Sequence, residues 1–334
     1  MARVAVIGAG AWGTALGVLL SRKGHAVTLW SHDPEIAEAM NTEGRNPYLP
    51  DVDVPEALRA VADLGEAVSG ADLVLSVSPS QFVRGVMTEA ASHMPADAVL
   101  VSASKGIELG SLLRMDEVLA EVLPAGIMDR FAVLSGPSFA HEVAAEAPTA
   151  VVVAGRLADV AETVQSVFQT PAFRVYTTTD VVGVELGGAV KNVIALAAGV
   201  AAGLGFGHNT GAALMTRGLA EITRLGVAMG ARRETFYGLA GMGDLVLTCT
   251  GSSSRNRTVG VRLGRGERLE DILADMHAVA EGVRTSEAVF ELSQRHGVEM
   301  PITEEVHAIL YRKRSPSDAL AALMQRDPKP EIWS

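Results

Sequence analysis

Lys191 is the residue of this sequence whose type and surroundings most clearly indicate chemistry. It stands with Asn192 in residues 187–197, a predicted helix whose other residues are apolar on every face. Burying an ammonium group is costly unless that group has a partner or a task. The structural alternative is a lysine that only extends its charge to the surface. We favour the functional interpretation, in which Lys191 gives and takes a proton.

Asp244 is a second polar interruption of an apolar stretch. It lies between Gly243 and the apolar residues 245–247. Two interpretations fit this pattern equally well: a carboxylate that faces Lys191, and an aspartate that only caps a helix. The sequence leaves open whether Asp244 and Lys191 are in contact.

A third candidate is the polar segment at residues 252–257, which holds Ser254, Arg255 and Asn256. The chain has 39 acidic and 28 basic residues, a formal charge of −11, so a basic cluster within it is informative. Guanidinium and hydroxyl groups at a helix start suit a phosphate, because the unpaired N–H groups of the helix end add donors. A solvated loop is the alternative.

The residues at the start of the chain predict a dinucleotide site. Gly8, Gly10 and Gly13 follow an apolar strand at residues 4–7 and open an apolar helix at residues 14–21. In this pattern the first glycine permits a tight turn, the second lets the backbone approach a pyrophosphate, and the third packs the helix on the strand.

Strand patterns alternate with helical ones through the first half, which predicts an α/β fold. A Rossmann-like, doubly wound, mostly parallel sheet is expected in residues 1–180 and an all-helical domain in residues 181–334. Ligands of such sheets bind beyond the carboxyl ends of the strands. The predicted strands are 4–7, 26–30, 73–77, 98–102, 131–134, 150–153 and 173–176, and the predicted later helices are 184–202, 210–229, 268–274 and 285–295, with another helix starting at residues 303–305.

Composition excludes several classes of function. The net negative charge argues against binding to nucleic acid. His141 and Glu142 lack the second histidine of a zinc motif, so we predict no metal. The single cysteine, Cys249, fits a small buried residue in a reducing cytoplasm. No leader peptide is recognisable, and the apolar stretch at residues 193–207 is shorter than the ~20 residues of a membrane span. We therefore expect a cytoplasmic protein without a transmembrane segment.

The order and spacing of these motifs resemble those of the bacterial NAD(P)-dependent glycerol-3-phosphate dehydrogenases over nearly the whole chain. The matching segments are residues 8–13, 104–106, 135–140, 188–195, 203–209, 241–250 and 254–257.

The resemblance implies reversible hydride transfer between NAD(P)H and dihydroxyacetone phosphate, giving sn-glycerol 3-phosphate for phospholipid synthesis. It makes Lys191 the acid/base, with Asp244 orienting it or a substrate hydroxyl. The implied substrate-binding residues are Lys105, Gly136, Ser138, Lys191, Asp244, Ser254, Arg255 and Asn256. The cofactor-binding residues, including those of the glycine turn, are Gly8, Gly10, Ala11, Trp12, Gly13, His32, Lys105, Ala140, Arg255, Val279 and Glu281.

The cofactor is NADP or NAD. An NAD enzyme usually places an acidic residue at the end of the second strand, where this chain has Ser31 and His32 before Asp33. Repulsion of a 2′-phosphate is therefore weakened, and His32 and Arg255 could receive it. We expect the enzyme to accept NADPH. A stronger version of the same prediction is that it prefers NADPH to NADH.

Two other functions remain open. A β-hydroxyacid dehydrogenase has a similar architecture, but that family's asparagine follows its lysine by four positions, where this chain has Ala195. A non-catalytic redox sensor would bind the dinucleotide without turnover. The glycine-rich apolar helices of the second half are also compatible with a homodimer.

Overall fold

A single eight-stranded sheet forms the centre of the first half of the molecule. The structure is a computed structural model that describes residues 1–276, 280–328 and 330–331. The strands are β1 (Arg3–Ile7), β2 (Ala26–Trp30), β3 (Leu58–Val61), β4 (Leu73–Ser76), β5 (Val99–Ser102), β6 (Phe131–Ser135), β7 (Thr149–Gly155) and β8 (Phe173–Thr178).

The strand order is β3-β2-β1-β4-β5-β6-β7-β8. Strands β1 to β6 are parallel, β7 runs antiparallel to β6, and β8 is parallel to β7. The first six strands thus have the doubly wound order, whose direction reverses between β1 and β4. The prediction of a mostly parallel sheet is confirmed, and the reversal places the binding crevice beyond Ile7 and Ser76.

Helices cover both faces of this sheet. Alternate strand residues explain why: Val4 and Val6 enter the core on one face, and Ala5 and Ile7 enter the core on the other. The helices of the first half are α1 (Ala11–Arg22), α2 (Pro34–Thr42), α3 (Leu64–Val68), α4 (Val83–Ala90), α5 (Met115–Val122), α6 (Ala125–Met128), α7 (Ala140–Ala144) and α8 (Ala158–Phe168).

The described part of the second half is helical and forms most of a third core, to which Ile107 and Leu112 of the first half also contribute. A 3₁₀ segment (Arg233–Tyr237) and a π-helical turn (Leu239–Gly243) also occur there. The α-helices are α9 (Val181–Gly203), α10 (His208–Ala228), α11 (Asp244–Thr250), α12 (Arg255–Gly264), α13 (Leu269–Ala274), α14 (Glu281–His296), α15 (Pro301–Tyr311) and α16 (Pro316–Met324).

α9 is the central helix of this half. It is 23 residues long and predominantly apolar, so by length and composition it could cross a membrane, but 94% of its most apolar 18-residue window is buried inside the protein. The prediction that residues 193–207 are too short to span a membrane was therefore wrong, because it counted from residue 193 and the helix begins at Val181. The expectation that this stretch forms a buried helix is confirmed, and core helices pass the same membrane test.

Two local predictions need correction. The short edge strand β3 was missed, because four residues that include Arg59 carry too little alternation to be recognised. The helix expected to start at residues 303–305 begins at Pro301, and Thr303 lies inside it, where its N–H and hydroxyl both bind the carboxylate of Glu221. The division into domains at residue 180 stays a prediction; β8 ends at Thr178 and α9 begins at Val181.

Candidate active site

A buried cluster of two lysines and one aspartate lies between the sheet and the helical half. The ammonium of Lys191 donates a hydrogen bond to Oδ1 of Asp244, and that of Lys105 donates to Oδ2 at 2.7 Å. Only 8% of the Lys191 side chain and 1% of the Asp244 side chain are exposed. This burial excludes the structural alternative, in which Lys191 only extends its charge to the surface. The open question of contact is answered, because the lysine and aspartate form an ion pair.

Three elements bring this cluster together. Lys191 comes from the middle of α9, Lys105 from the loop after β5, and Asp244 from the first residue of α11. The π-helical turn Leu239–Gly243 leads directly into Asp244. Such turns are frequent at functional sites, since the wider turn redirects the residues that follow. Asp244 makes its side-chain contacts with the two lysines and with Thr248, so it is not simply a helix cap.

Thr248 is a member of the site that the sequence reasoning missed. Its hydroxyl accepts a hydrogen bond from the Lys191 ammonium at 2.8 Å and donates one to the Asp244 carbonyl at 2.6 Å. It follows Asp244 by four positions, hence one helical turn, which was the available signal. Because the Lys191 ammonium donates to both Asp244 and Thr248, it is held in one orientation.

The electrostatics of the cluster favour proton transfer at Lys191. Burial lowers its pKa to about 8, Asp244 opposes that change, and the charge of Lys105 reinforces it. Two ammonium groups around one carboxylate leave a net positive charge, which suits a developing oxyanion. Neighbouring Cys249 is buried, and burial raises its thiol pKa to about 12, as the structural interpretation of that residue implies.

The loop after β6 contacts the lysine cluster through the carbonyl of Gly136. Lys105 donates to the carbonyl of Gly136 at 3.2 Å, and Ser138 donates to the same carbonyl at 3.0 Å. Gly136 has a φ of 136°, a conformation that side chains strongly disfavour. Two of the predicted substrate residues therefore lie directly beside Lys105.

The predicted phosphate residues lie at the start of α12. Ser254 caps this helix by accepting the N–H of Arg257, Asn256 is buried and accepts the N–H of Gly282, and Arg255 is exposed. The ten-residue helix packs tightly on α9: a Cβ on Gly260 would lie 2.2 Å from the carbonyl oxygen of Leu196.

Glu281 connects this region to the sheet. Its carboxylate accepts the N–H of Ser80, in the loop after β4, at 3.4 Å. Burial raises the pKa of Glu281, and the charge of nearby Arg255 opposes that change most strongly. Two of the residues predicted to bind cofactor are thus within electrostatic reach of each other.

The glycine turn at the end of β1 has the geometry that the motif predicts. Gly8 has a φ of 130°, and a Cβ on Gly13 would lie 1.9 Å from the carbonyl oxygen of Gly8. A Cβ on Gly10 would meet no atom within 4 Å, so the backbone there is open for approach. The indole N–H of Trp12 is buried without a hydrogen-bond partner in the described part of the chain.

The remaining predicted cofactor residues are spread around the same edge. Ala11 and Ala140 are the first residues of α1 and α7, and His32 is exposed after β2, its ring 6.0 Å from that of Trp30. Asp33 caps α2 through the N–H of Glu35 at 2.9 Å. Val279 lies outside the described residues.

Contacts between loops join the glycine turn to the lysine cluster. Gly8 packs on the backbone of Val77, and the hydroxyl of Ser104 donates to the carbonyl of Ser78 at 2.6 Å. Lys105 follows Ser104 directly. The loops after β1, β4 and β5 therefore form one continuous edge that runs from the glycine turn to the lysine cluster.

Fold and site together define a dinucleotide-dependent dehydrogenase. The doubly wound sheet presents a glycine turn of the kind that binds dinucleotides, and a buried lysine of lowered pKa lies at the same edge. Comparison with known proteins identifies the family. Its N-terminal model, NAD-dependent glycerol-3-phosphate dehydrogenase N-terminus, matches residues 3–161, and the corresponding C-terminal model matches residues 180–321. The chain belongs to the NAD-dependent glycerol-3-phosphate dehydrogenase family.

Individual relatives agree with this assignment. The glycerol-3-phosphate dehydrogenase (NAD(P)+) of Geobacter sulfurreducens is 57% identical over 332 residues, which are 99% of this chain and 99% of that protein. The enzyme of the same name from Syntrophotalea carbinolica is 56% identical over 330 residues, 98% and 99% of the two chains. The crystal structure of glycerol-3-phosphate dehydrogenase from Coxiella burnetii matches with a TM-score of 0.92 and 41% identity, covering 97% of this chain and 99% of that one.

Proposed function

We propose that this protein catalyses the reversible, NAD(P)-dependent reduction of dihydroxyacetone phosphate to sn-glycerol 3-phosphate, a precursor of phospholipids. Membership of the family supports this reaction. The observation that carries the mechanism is the buried contact of Lys191 with Asp244 and Thr248 beside the carboxyl edge of the sheet. When bound, the nicotinamide supplies or accepts the hydride at the central carbon of the substrate.

Lys191 is the proposed acid and base. As the carbonyl is reduced, negative charge develops on its oxygen, and an ammonium beside it stabilises that charge and donates a proton. In the reverse direction the neutral amine accepts the proton from the alcohol. A pKa of about 8 keeps both forms of Lys191 accessible near neutral pH.

Asp244 and Lys105 are proposed to hold Lys191 in its working state. Asp244 bridges the two ammonium groups, which fixes the position of each and keeps Lys191 protonated at neutral pH. Lys105 adds a second positive charge and, with Gly136 and Ser138, lines the side from which substrate oxygens would be bound.

Ser254, Arg255 and Asn256 are the proposed phosphate-binding residues. Arg255 is exposed, and Asn256 uses its carbonyl oxygen internally, so its amide N–H groups remain to donate. The positive end of α12 adds backbone donors. Binding energy from the phosphate, remote from the reacting carbon, then fixes the position of that carbon relative to Lys191.

The residues present fit a dinucleotide. The open backbone at Gly10, the crowded Gly13 and the unpaired indole N–H of Trp12 suit a pyrophosphate at the start of α1. The carboxylate of Asp33 caps α2 and accepts the N–H of Glu35, so one of its oxygens is already used within the protein. This supports the acceptance of NADPH, with His32 and Arg255 as the proposed partners of its 2′-phosphate.

A cofactor-oxidation assay tests this proposal. The absorbance at 340 nm is followed with NADPH and dihydroxyacetone phosphate, and separately with NADPH and 3-oxo-acids or with NADP+ and 3-hydroxy-acids, at equal enzyme concentration. We expect turnover of dihydroxyacetone phosphate alone. Turnover of the acids instead would indicate a β-hydroxyacid dehydrogenase, and NADPH binding without any turnover would indicate a redox sensor. The ratio of kcat/KM for NADPH and NADH measures cofactor preference in the same assay, and a strong NADH preference would contradict the proposed 2′-phosphate site.

We further propose a cytoplasmic location and self-association as a homodimer. A single buried cysteine suits a reducing compartment. Exposed Phe206, at the glycine-rich end of α9, supports a contact between copies. Light scattering coupled to size-exclusion chromatography measures the state directly, and a monomer at micromolar concentration would contradict the dimer.

A further inference from the structure

The helix that carries Lys191 belongs to two hydrophobic cores. Its first turn contributes Val181 and Val184 to the core on one face of the sheet, which also includes Met115 of α5. From Leu186 onward, its apolar side chains join the core of the helical half. The position of Lys191 relative to the sheet therefore depends on how firmly the first turn of α9 is held.

Glu185 lies at the point where α9 passes from one core to the other. One of its carboxyl oxygens accepts the N–H of Asp116, in the first turn of α5, at 3.0 Å, and the other lies 3.6 Å from Nε of Arg114. Asp116 pairs with Arg114 at 3.0 Å and with Arg156 at 3.3 Å, and Arg114 also pairs with Glu117 at 3.1 Å. This charged cluster joins α9 to the layer that covers the sheet.

The carboxyl groups of Glu185 and Asp116 are both buried, and they lie close together because the N–H of Asp116 donates to Glu185. Burial raises the pKa of Glu185 well above its usual value, the charge of Asp116 adds to that rise, and Arg114 opposes it. Two buried carboxylates side by side favour retention of one proton between them. A protonated Glu185 can donate to Asp116 while its carbonyl oxygen caps α5, so both contacts are made at once.

We propose that Glu185 is a positioning residue for the reaction, whose contact with the start of α5 holds α9, and through it Lys191, against the sheet. This inference rests on the proposed role of Lys191. Glu185 and Lys191 are six positions apart, which is about 9 Å along the helix axis at 1.5 Å per residue. A displacement of about 1 Å at a reacting group can cost about 100-fold in rate, so a loosened first turn would reduce kcat.

Two substitutions test the proposal in the full-length enzyme. Glu185→Ala removes the cap and should lower kcat for dihydroxyacetone phosphate reduction by about 10-fold, with the KM for NADPH changed less than about twofold. Glu185→Gln keeps both the acceptor and a donor, and should restore kcat to within about twofold of wild type at pH 7.

Glu221 provides a matched control. It is also a buried carboxylate that caps a helix, accepting the N–H of Ile302 at 2.7 Å and of Thr303 at 3.2 Å, but its partners belong to α15 in the helical half. Glu221→Ala should lower the Tm as much as Glu185→Ala does, without a change in kcat per folded molecule.

The outcomes separate this inference from the proposed function. An inactive wild-type enzyme would refute the proposed function and this inference with it. An active wild type whose Glu185→Ala variant loses only thermal stability, like Glu221→Ala, would refute the positioning role alone. If Glu185→Ala does not fold, Glu185→Asp decides, because it keeps the carboxyl group but shortens the side chain by one methylene. A kcat several-fold below wild type with an unchanged KM for NADPH supports the proposal, and a wild-type kcat overturns it.

Discussion

The glycine turn and the lysine cluster, the two regions of one edge that we propose bind the cofactor pyrophosphate and the reacting oxygen, are built in opposite ways. The turn is local and uses backbone N–H groups of residues 8–13, without a charged side chain. The cluster consists of the charged side chains of Lys105, Lys191 and Asp244, which lie largely out of solvent. Its members are distant in the sequence, since Lys105 and Asp244 are 139 positions apart. A backbone site tolerates changes of nearby side chains, whereas a buried charge cluster fails when any one member is removed.

The largest expected effect is at Lys191. Lys191→Ala should reduce kcat by about 1,000-fold, the scale of general acid–base catalysis, with the Kd for NADPH unchanged. Lys191→Arg keeps the positive charge but cannot release a proton near neutral pH, so it should remain nearly inactive. Steady-state kinetics and cofactor fluorescence titration measure the two quantities. An active arginine variant would reduce Lys191 to an electrostatic role.

The carboxylate that links the two lysines should have the next largest effect. Asp244→Asn leaves two ammonium groups without their shared counter-charge, so we expect kcat to fall by about 100-fold and the protein to lose stability, as when a buried ion pair loses one partner. Because Asp244 raises the pKa of Lys191, its removal should move the alkaline limb of the pH–rate profile to lower pH. A limb that stays in place would show that Asp244 does not act on Lys191.

The phosphate site predicts a smaller change confined to binding. Arg255→Ala should raise the KM for dihydroxyacetone phosphate by about 10- to 100-fold, the value of a charge-assisted hydrogen bond, with a smaller effect on kcat. Arg257→Ala removes the same charge from the same helix and is the control. If both substitutions raised the KM equally, the phosphate would be attracted by the overall positive charge of α12 and not bound by a direct contact with Arg255.

Two substitutions in the glycine turn should have different effects on thermal stability and on cofactor binding. Gly10→Ala adds a methyl group where no atom lies within 4 Å, so the Tm should match wild type while the Kd for NADPH rises by about 10-fold. Gly13→Ala places a Cβ 1.9 Å from the carbonyl oxygen of Gly8, so it should lower the Tm. Thermal unfolding and cofactor titration check the pair. Full cofactor affinity in Gly10→Ala would contradict backbone approach at this position.

The same contrast explains how much could be predicted from the sequence. The sheet, the glycine turn and the polar interruptions at Lys191 and Asp244 were recognisable, because each depends on neighbouring residues. The ion pair of Asp244 with both lysines was not, since it depends on how α9, α11 and the loop after β5 meet. Thr248 could have been found from its spacing of one helical turn from Asp244. The contact of Glu185 with α5 could not, because a glutamate near the start of a helix is ordinary.

The pH dependence of both reaction directions tests the central claim, that buried Lys191 is the acid and base. Burial lowers its pKa to about 8. Reduction needs the ammonium, so kcat/KM for dihydroxyacetone phosphate should be constant below that pH and fall above it, once corrected for substrate ionisation. Oxidation of glycerol 3-phosphate needs the amine, so its rate should rise through the same pH. Profiles that change in the same direction, or that are flat from pH 7 to about 10, would contradict the account.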